Sequence, residues 1–149
     1  MNRTPPDLVA IDRDDYHAQH VGRTADGRQF FLTPPFVPAS RGAAGAEFNA
    51  LYVFDDDGAL LDARIEPFGP RGSYDRAMKE AAYWALLDSL GTVSFERIEV
   101  APFAIERFDT TFGLAVRDCE DDDDVLAVEV QPGNYMAFFE PWDSGEYDT

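Results

Sequence analysis

The sequence predicts an α+β domain: a largely antiparallel β-sheet built from hairpins, with one main helix packed on one face. One stretch is strongly helical, and two Asp-Gly dipeptides, at 26–27 and 57–58, separate alternating apolar segments. A parallel sheet would need several crossover helices, which the pattern lacks. The chain has 149 residues, of which 45% are hydrophobic, enough for one core. We therefore expect a single domain over residues 1–149, with a loosely held N-terminal arm at 1–15.

The predicted helix covers residues 73–90. Ser73 is placed to cap the first turn, the interior is free of Gly and Pro, and Gly91 follows where a helix commonly ends. Tyr83 and the leucines after it also make the last two turns apolar on a second side. At helical spacing, the face expected to pack on the sheet consists of Tyr74, Ala77, Met78, Ala81, Trp84 and Ala85.

Two hairpins are predicted before the helix. They pair residues 16–23 with 28–33, and residues 47–54 with 59–65. The strand at 47–54 is apolar on both faces, which indicates a central strand. A Pro- and Gly-containing loop at 33–45 joins the hairpins, and residues 67–72 are expected to break the chain before the helix.

Further strands are predicted after the helix. A change of apolar parity in residues 93–100 indicates a bulge near Glu96-Arg97. Residues 108–116 keep one parity throughout and predict a half-buried strand. Residues 125–130 and 135–139 are expected to pair across Pro132-Gly133-Asn134.

Charge is the compositional outlier. Twenty-nine acidic residues against 12 basic residues give a net charge of −17, and residues 118–149 contain 11 acids and no Lys or Arg. This field repels nucleic acid and anionic membranes and attracts cationic partners. We therefore expect a basic protein partner, no nucleic acid and no membrane; the alternative is that the acidity only keeps the protein in solution.

Cellular location is inferred from the N-terminus and from cysteine usage. Residues 1–10 lack the apolar run of a signal peptide, and no segment is long and apolar enough to span a bilayer. Cys119 is alone and cannot form an intrachain disulfide, which fits a reducing compartment. We expect a cytoplasmic protein.

No motif predicts a particular reaction. His17 and His20 are the only histidines, so few residues could serve a nucleophilic mechanism that needs a histidine base. Asp12, Asp14 and Asp15 could add carboxylates to a metal site beside them, but no Cys or His elsewhere completes a zinc set. A pair of carboxylates could still act as general acid and general base. No cofactor and no catalytic residue are predicted. Asp55, Asp56 and Asp57 are weak candidates for calcium, because they lack the spacing and distal Glu of an EF-hand loop.

The acidic C-terminal third supplies the predicted partner-binding residues. Aromatic side chains there can anchor a partner while the acids steer it. Alternatively, Trp142 and Tyr147 pack back on the sheet and hold the terminus in place. The partner-binding prediction covers Glu120, Asp121, Asp122, Asp123, Asp124, Trp142, Asp143, Glu146 and Tyr147.

Four segments carry a resemblance: VGRTADGRQFF, LYVFDDDGALLDARI, FERIEVAPF and the ending FFEPWDSGEYDT. With these, residues 16–149 resemble small acidic bacterial proteins, some of them labelled formate hydrogenlyase regulatory protein. The resemblance implies a bacterial, cytoplasmic protein with a regulatory role, and it brings no catalytic motif.

Three functional hypotheses follow. The first is a non-enzymatic regulator or immunity-like inhibitor that docks a basic protein through the acidic C-terminal third, with an affinity that falls steeply with salt. The second is a small-ligand binder or enzyme that uses carboxylates in a pocket between the sheet and the loop at 33–45. The third is calcium binding at residues 55–57 or 120–124. The oligomeric state does not follow from the sequence.

Overall fold

The computed structural model describes residues 6–13, 19–39, 45–118, 126–132, 136–138, 142 and 145–147. These residues form thirteen strands and one helix, α1, at Arg76–Asp88. The strands are β1 Val9–Ile11, β2 His20–Thr24, β3 Gln29–Thr33, β4 Phe36–Val37, β5 Ala46–Phe54, β6 Leu60–Gly69, β7 Val93–Phe95, β8 Ile98–Val100, β9 Phe103–Arg107, β10 Thr110–Asp118, β11 Leu126–Gln131, β12 Met136–Phe138 and β13 Gly145–Tyr147. The predicted α+β class, with largely antiparallel strands and a helix packed on a sheet, is confirmed.

The helix begins later than predicted. Its N-cap is Asp75, whose carboxylate accepts the backbone N–H of Met78 at 3.0 Å, so Ser73 does not cap it. An Asp cap satisfies a free N–H and also places negative charge at the positive end of the helix dipole. At the other end Gly91 has a φ of +75°, and its N–H donates to the carbonyl of Asp88.

The predicted packing face of the helix is wrong. Met78 is 61% exposed and Trp84 is 44% exposed. The face that packs on the sheet instead carries Tyr83, Leu86, Leu87 and Leu90. These positions also follow helical spacing, and they bury more apolar area than the alanines of the predicted face.

The main sheet contains both predicted hairpins and has six strands. β2 pairs with β3, and β5 pairs with β6, through turns in which Gly27 and Gly58 have positive φ. β5 is central, as predicted: β6 lies on one side, and β3 and β4 pair with it on the other. β6 continues to Gly69, although a break was expected from Pro67. Among the described strands β6 pairs only with β5, and an edge strand tolerates the missing N–H of proline.

Residues 9–11, within the predicted loose arm, form a buried strand. β1 pairs with β8, and Val9 and Ile11 lie in the core. β8 is separate from β7, which pairs with β2, so the expected bulge near Glu96-Arg97 is instead the end of one strand and the start of another. The backbone carbonyl of Trp142 accepts the N–H of Ala10 on the free side of β1.

A second sheet has five strands in the order β13-β12-β11-β10-β9. The predicted pairing of residues 125–130 with 135–139 is confirmed as β11 and β12. The strand predicted from Phe108 begins at Thr110 instead. Phe108 and Asp109 both have positive φ and form the turn between β9 and β10. The alternation of apolar residues continues through this turn, so the sequence pattern did not reveal the tight hairpin.

The two sheets share the largest core, and the helix covers the other face of the six-stranded sheet. The rings of Phe48 on β5 and Phe112 on β10 meet edge to face at 4.9 Å, which places the sheets against each other. On the opposite face, Leu86 packs with a smaller cluster that includes Phe30 and Leu51. Within the described residues, no helix has the length and apolarity needed to cross a membrane.

Candidate functional site

A cavity of about 570 Å³ lies between the first half of α1 and the six-stranded sheet. Its volume falls within the range of small-molecule pockets, roughly 300–1,000 Å³. From the sheet side it is lined by Gln19, His20, Thr33, Pro34, Phe36 and Asn49. From the helix and the residues before it, the lining consists of Tyr74, Arg76, Lys79, Glu80, Tyr83 and Trp84.

The cavity exists because the helix-facing row of β5 changes character along the strand. Val53 and Leu51 pack with the apolar second half of α1. Since side chains alternate between faces, the next residue on the same face is Asn49, and beyond it lies Glu47. The apolar cluster therefore ends at Leu51, and the first half of the helix lies over polar side chains.

Glu47 anchors the cations at this end of the helix. Its Oε2 atom lies 2.6 Å from Nε of Arg71, and its Oε1 atom lies 4.0 Å from Nζ of Lys79. The Arg71 guanidinium also stacks on the ring of Phe36, 4.2 Å from its centroid. The Glu47 carboxylate is therefore held mainly by Arg71, and Lys79 is its more distant partner.

Lys79 is the only lysine of the chain. Its side chain is only 12% exposed, and this burial lowers the pKa of the amine, an effect that the nearby Glu47 carboxylate partly opposes. Burial disfavours the ammonium form because the charge loses its water. Lys79 thus brings an amine of reduced basicity to the cavity wall.

Asn49 is fully buried and only half satisfied. Its Nδ2 atom donates to the backbone carbonyl of Lys79 at 3.0 Å, which also identifies which end of the carboxamide is the oxygen. That oxygen, Oδ1, has no hydrogen-bond partner among the described residues. A buried acceptor left in this state costs about 1–3 kcal/mol.

His20 and Tyr83 form a second polar pair in the lining. Nδ1 of His20 lies 2.5 Å from the hydroxyl of Tyr83, and the imidazole meets the rings of Tyr83, Trp84 and Phe95 edge to face. Burial, and secondarily the positive charge of Arg13, lower the pKa of His20 below its ordinary value of 6.5. The imidazole is therefore held neutral beside the Tyr83 hydroxyl at neutral pH.

This lowered pKa predicts a pH-dependent stability. The unfolded chain takes up the His20 proton near pH 6.5, whereas the folded protein takes it up only at lower pH. The unfolded state thus binds more protons in this window, so stability is lost as the pH falls from 6.5 through the folded pKa. In His20→Gln, which does not titrate, we expect the melting temperature to fall less over this window. An unchanged pH slope in the variant would show that His20 is not the responsible group.

The structure describes only part of the predicted partner-binding set. Glu120, Asp121, Asp122, Asp123, Asp124 and Asp143 lie outside the described residues, as does Cys119. Glu146 and Tyr147 lie in β13, which is described by its backbone alone. Trp142 is half-buried and packs against the large core. Among the described residues, no three His, Cys, Asp or Glu side chains come together to hold a metal ion.

Two of the three weak calcium candidates, Asp55 and Asp56, form bonds within the protein. Oδ1 of Asp55 accepts the backbone N–H groups of Asp57 and Ala59, and Asp56 pairs with Arg23 at 2.8 Å. A second cavity of about 410 Å³ lies beside this turn. Several of its charged groups are already paired, since Arg23 also lies 3.5 Å from Glu96 and Arg97 lies 3.4 Å from Asp12.

The second hypothesis placed a pocket between the sheet and the loop at 33–45, and the observed cavity overlaps that place only in part. Thr33, Pro34 and Phe36 line it, but its other wall is the helix. Its lining includes the carboxylate of Glu80, together with amides, an amine, a guanidinium, an imidazole and hydroxyls. Sequence analysis missed Asn49 and Lys79. The available signal was the polar Glu47 and Asn49 in the same strand parity as Leu51 and Val53.

Comparisons of the chain with protein-family models, with curated proteins and with solved structures find no match.

Proposed function

We propose that this protein binds a small organic molecule in the cavity between α1 and the six-stranded sheet. The observation that carries the proposal is Oδ1 of Asn49, which has no hydrogen-bond partner among the described residues and belongs to a residue of the cavity lining. Buried polar groups are satisfied in the great majority of cases, and an exception indicates a strained or functional site. A ligand with an N–H or O–H donor would satisfy this atom once the side chains that cover it move aside, since Asn49 is fully buried.

The rest of the lining suits such a ligand. Aromatic rings from Phe36, Tyr74, Tyr83 and Trp84 provide apolar walls, and Lys79 adds a donor of limited exposure. Pockets for small molecules are largely apolar with a few placed polar groups that fix the orientation of the ligand. The cavity thus combines an apolar surface that can bury a ring with both hydrogen-bond donors and hydrogen-bond acceptors.

The test is the exchange Asn49→Leu, which removes the carboxamide oxygen and keeps the branched shape of the side chain. We expect the melting temperature to rise by about 2–5 °C, because removing a buried unsatisfied acceptor gains more than the one bond to Lys79 loses. The same exchange should weaken binding of the fluorescent probe 8-anilinonaphthalene-1-sulfonate, which carries rings and an N–H donor, by about fivefold or more.

Gln29→Met is the matched control. The carboxamide of Gln29 is equally buried but hydrogen-bonded at both ends, so its replacement should lower the melting temperature. If Asn49→Leu also lowers the melting temperature, Asn49 is a structural residue and the proposed ligand site is wrong.

Docking of a basic partner through residues 120–124, 142, 143, 146 and 147 stays a prediction. The cytoplasmic location and the regulatory role implied by the resemblance also stay predictions. We place the cavity first because a specific buried atom favours it.

A further inference from the structure

We propose that Lys79 is a nucleophile that forms an imine with a small aldehyde or ketone bound in the cavity. This inference rests on the proposed function, since it names the class of ligand for the same site. It begins from the position of the amine: it is the chain's single lysine, its side chain is 12% exposed, and it lines a cavity of about 570 Å³.

The electrostatic surroundings favour a reactive amine. A neutral amine is required for attack, and withdrawal from water raises the neutral fraction, as the lowered pKa of Lys79 indicates. Glu47 would hold the amine in its charged form if it paired closely. Its nearest cation is Arg71 at 2.6 Å, however, whereas the Lys79 nitrogen lies 4.0 Å away.

Groups that can move protons lie in the same lining. Tyr83 follows Lys79 by four residues on α1, a spacing that places the two side chains next to each other on the helix surface. The Tyr83 hydroxyl lies 2.5 Å from Nδ1 of His20. Together they can give a proton to an oxygen that leaves the reacting carbon and take one up afterwards.

The chemical step is balanced without an external oxidant or reductant. The nitrogen lone pair of Lys79 attacks the carbonyl carbon, the C–N bond forms, and the carbonyl π electrons move to oxygen. A proton passes from nitrogen to oxygen to give a carbinolamine. The hydroxyl then takes a proton from the pair formed by Tyr83 and His20, the C–O bond breaks and water leaves. The nitrogen lone pair forms the C=N bond, and the proton left on nitrogen returns to the same pair.

The test traps the imine in the full chain with cyanoborohydride, which delivers hydride to the imine carbon and leaves a stable secondary amine. Two carbonyl probes are used separately: pyruvate, which carries a carboxylate, and propanal, which does not. Peptide mapping by mass spectrometry separates the Lys79 adduct from any at the α-amino group. A preference for pyruvate would indicate an oxo acid as the natural ligand, and a preference for propanal an uncharged carbonyl compound.

An internal reference is available through Arg64→Lys. The Arg64 side chain is 54% exposed, lies outside the cavity lining and is 3.3 Å from Asp62, so the exchange supplies a solvent-exposed amine outside the cavity in the same molecule. We expect Lys79 to be labelled about tenfold faster than that amine or more, because the cavity holds the carbonyl compound beside an amine whose neutral fraction is raised by burial. Lys79→Arg, which keeps the charge, should abolish the cavity adduct.

The proposal would be overturned if Lys79 were labelled no faster than the introduced amine with pyruvate and also no faster with propanal. So would a cavity adduct that persists in Lys79→Arg. The proposed function is judged separately by Asn49→Leu. A higher melting temperature and weaker binding of the fluorescent probe in that variant, without an adduct at Lys79 in the original protein, would support a ligand held without a covalent bond.

Discussion

Replacing Gln29 by Met should lower the free energy of unfolding by about 2–5 kcal/mol, because the buried Gln29 carboxamide would lose all of its hydrogen bonds to part-buried backbone groups. The Gln29 side chain acts as a piece of strand: its Nε2 donates to the carbonyl of Glu99 at 2.9 Å, and its Oε1 accepts the N–H of Glu99 at 2.8 Å. It also donates to the carbonyl of Asp55 at 3.2 Å. These bonds attach the β1–β8 pair to the six-stranded sheet. Met preserves the length and most of the volume of the side chain but can make none of them.

Denaturant unfolding of Gln29→Met measures this loss, with Gln131→Met as the control. Gln131 is half-buried on β11, and its amide makes a long bond of 3.3 Å to the side chain of Glu129. The control should change stability by no more than about 0.5 kcal/mol. Equal losses in the two variants would mean that the hydrogen bonds of Gln29 do not hold the β1–β8 pair.

Local patterns predicted the hairpins and the central position of β5, because turn residues and strand parity act between neighbours in sequence. The Asp-Gly turns are examples: Gly27 and Gly58 adopt the positive φ that the pattern requires. The turn at Phe108-Asp109 escaped prediction because neither residue is glycine, although both have positive φ. The alternation of apolar and polar residues also continues across this turn without a break.

Pairings between distant strands could not be predicted in the same way. β1 pairs with β8, and β2 pairs with β7, across more than 60 residues of chain, and no local pattern specifies such partners. The role of Gln29 depends on these pairings, since its partner Glu99 is 70 residues away. The cavity follows the same logic. Asn49 and Lys79 are ordinary in sequence and become a site only once the helix lies on β5.

The helix face shows how two valid patterns compete. Both the alanine-rich face and the leucine face follow helical spacing, and only the buried area separates them. Because the leucine face is the buried one, Met78 and Trp84 are exposed. The Tyr83 side chain then points toward His20 and the carbonyl of Leu32. The cavity lining is thus a consequence of which face the second half of the helix buries.

Gly22→Ala should cost about 1–3 kcal/mol or more of stability, because β7 lies against the position where a side chain would begin. A Cβ atom at Gly22 would lie 1.9 Å from the carbonyl oxygen of Ser94 and 2.9 Å from Cα of Phe95. Both are backbone atoms and cannot rotate away, so β7 would have to leave β2. Since Phe95 packs on His20 in the cavity lining, the probe affinity of the cavity should fall with stability.

Gly72→Ala provides the control for this exchange. A Cβ atom at Gly72 meets nothing within 4 Å. Restricting the unfolded chain should leave this variant as stable as the original protein or raise its stability by up to about 1 kcal/mol. Thermal and denaturant unfolding of the two variants therefore compare the same added methyl group at a site where it clashes with backbone atoms and at a site where it does not. If Gly22→Ala unfolds like Gly72→Ala, β7 does not lie against β2 as closely as this structure has it, and Phe95 does not hold His20 in the cavity wall.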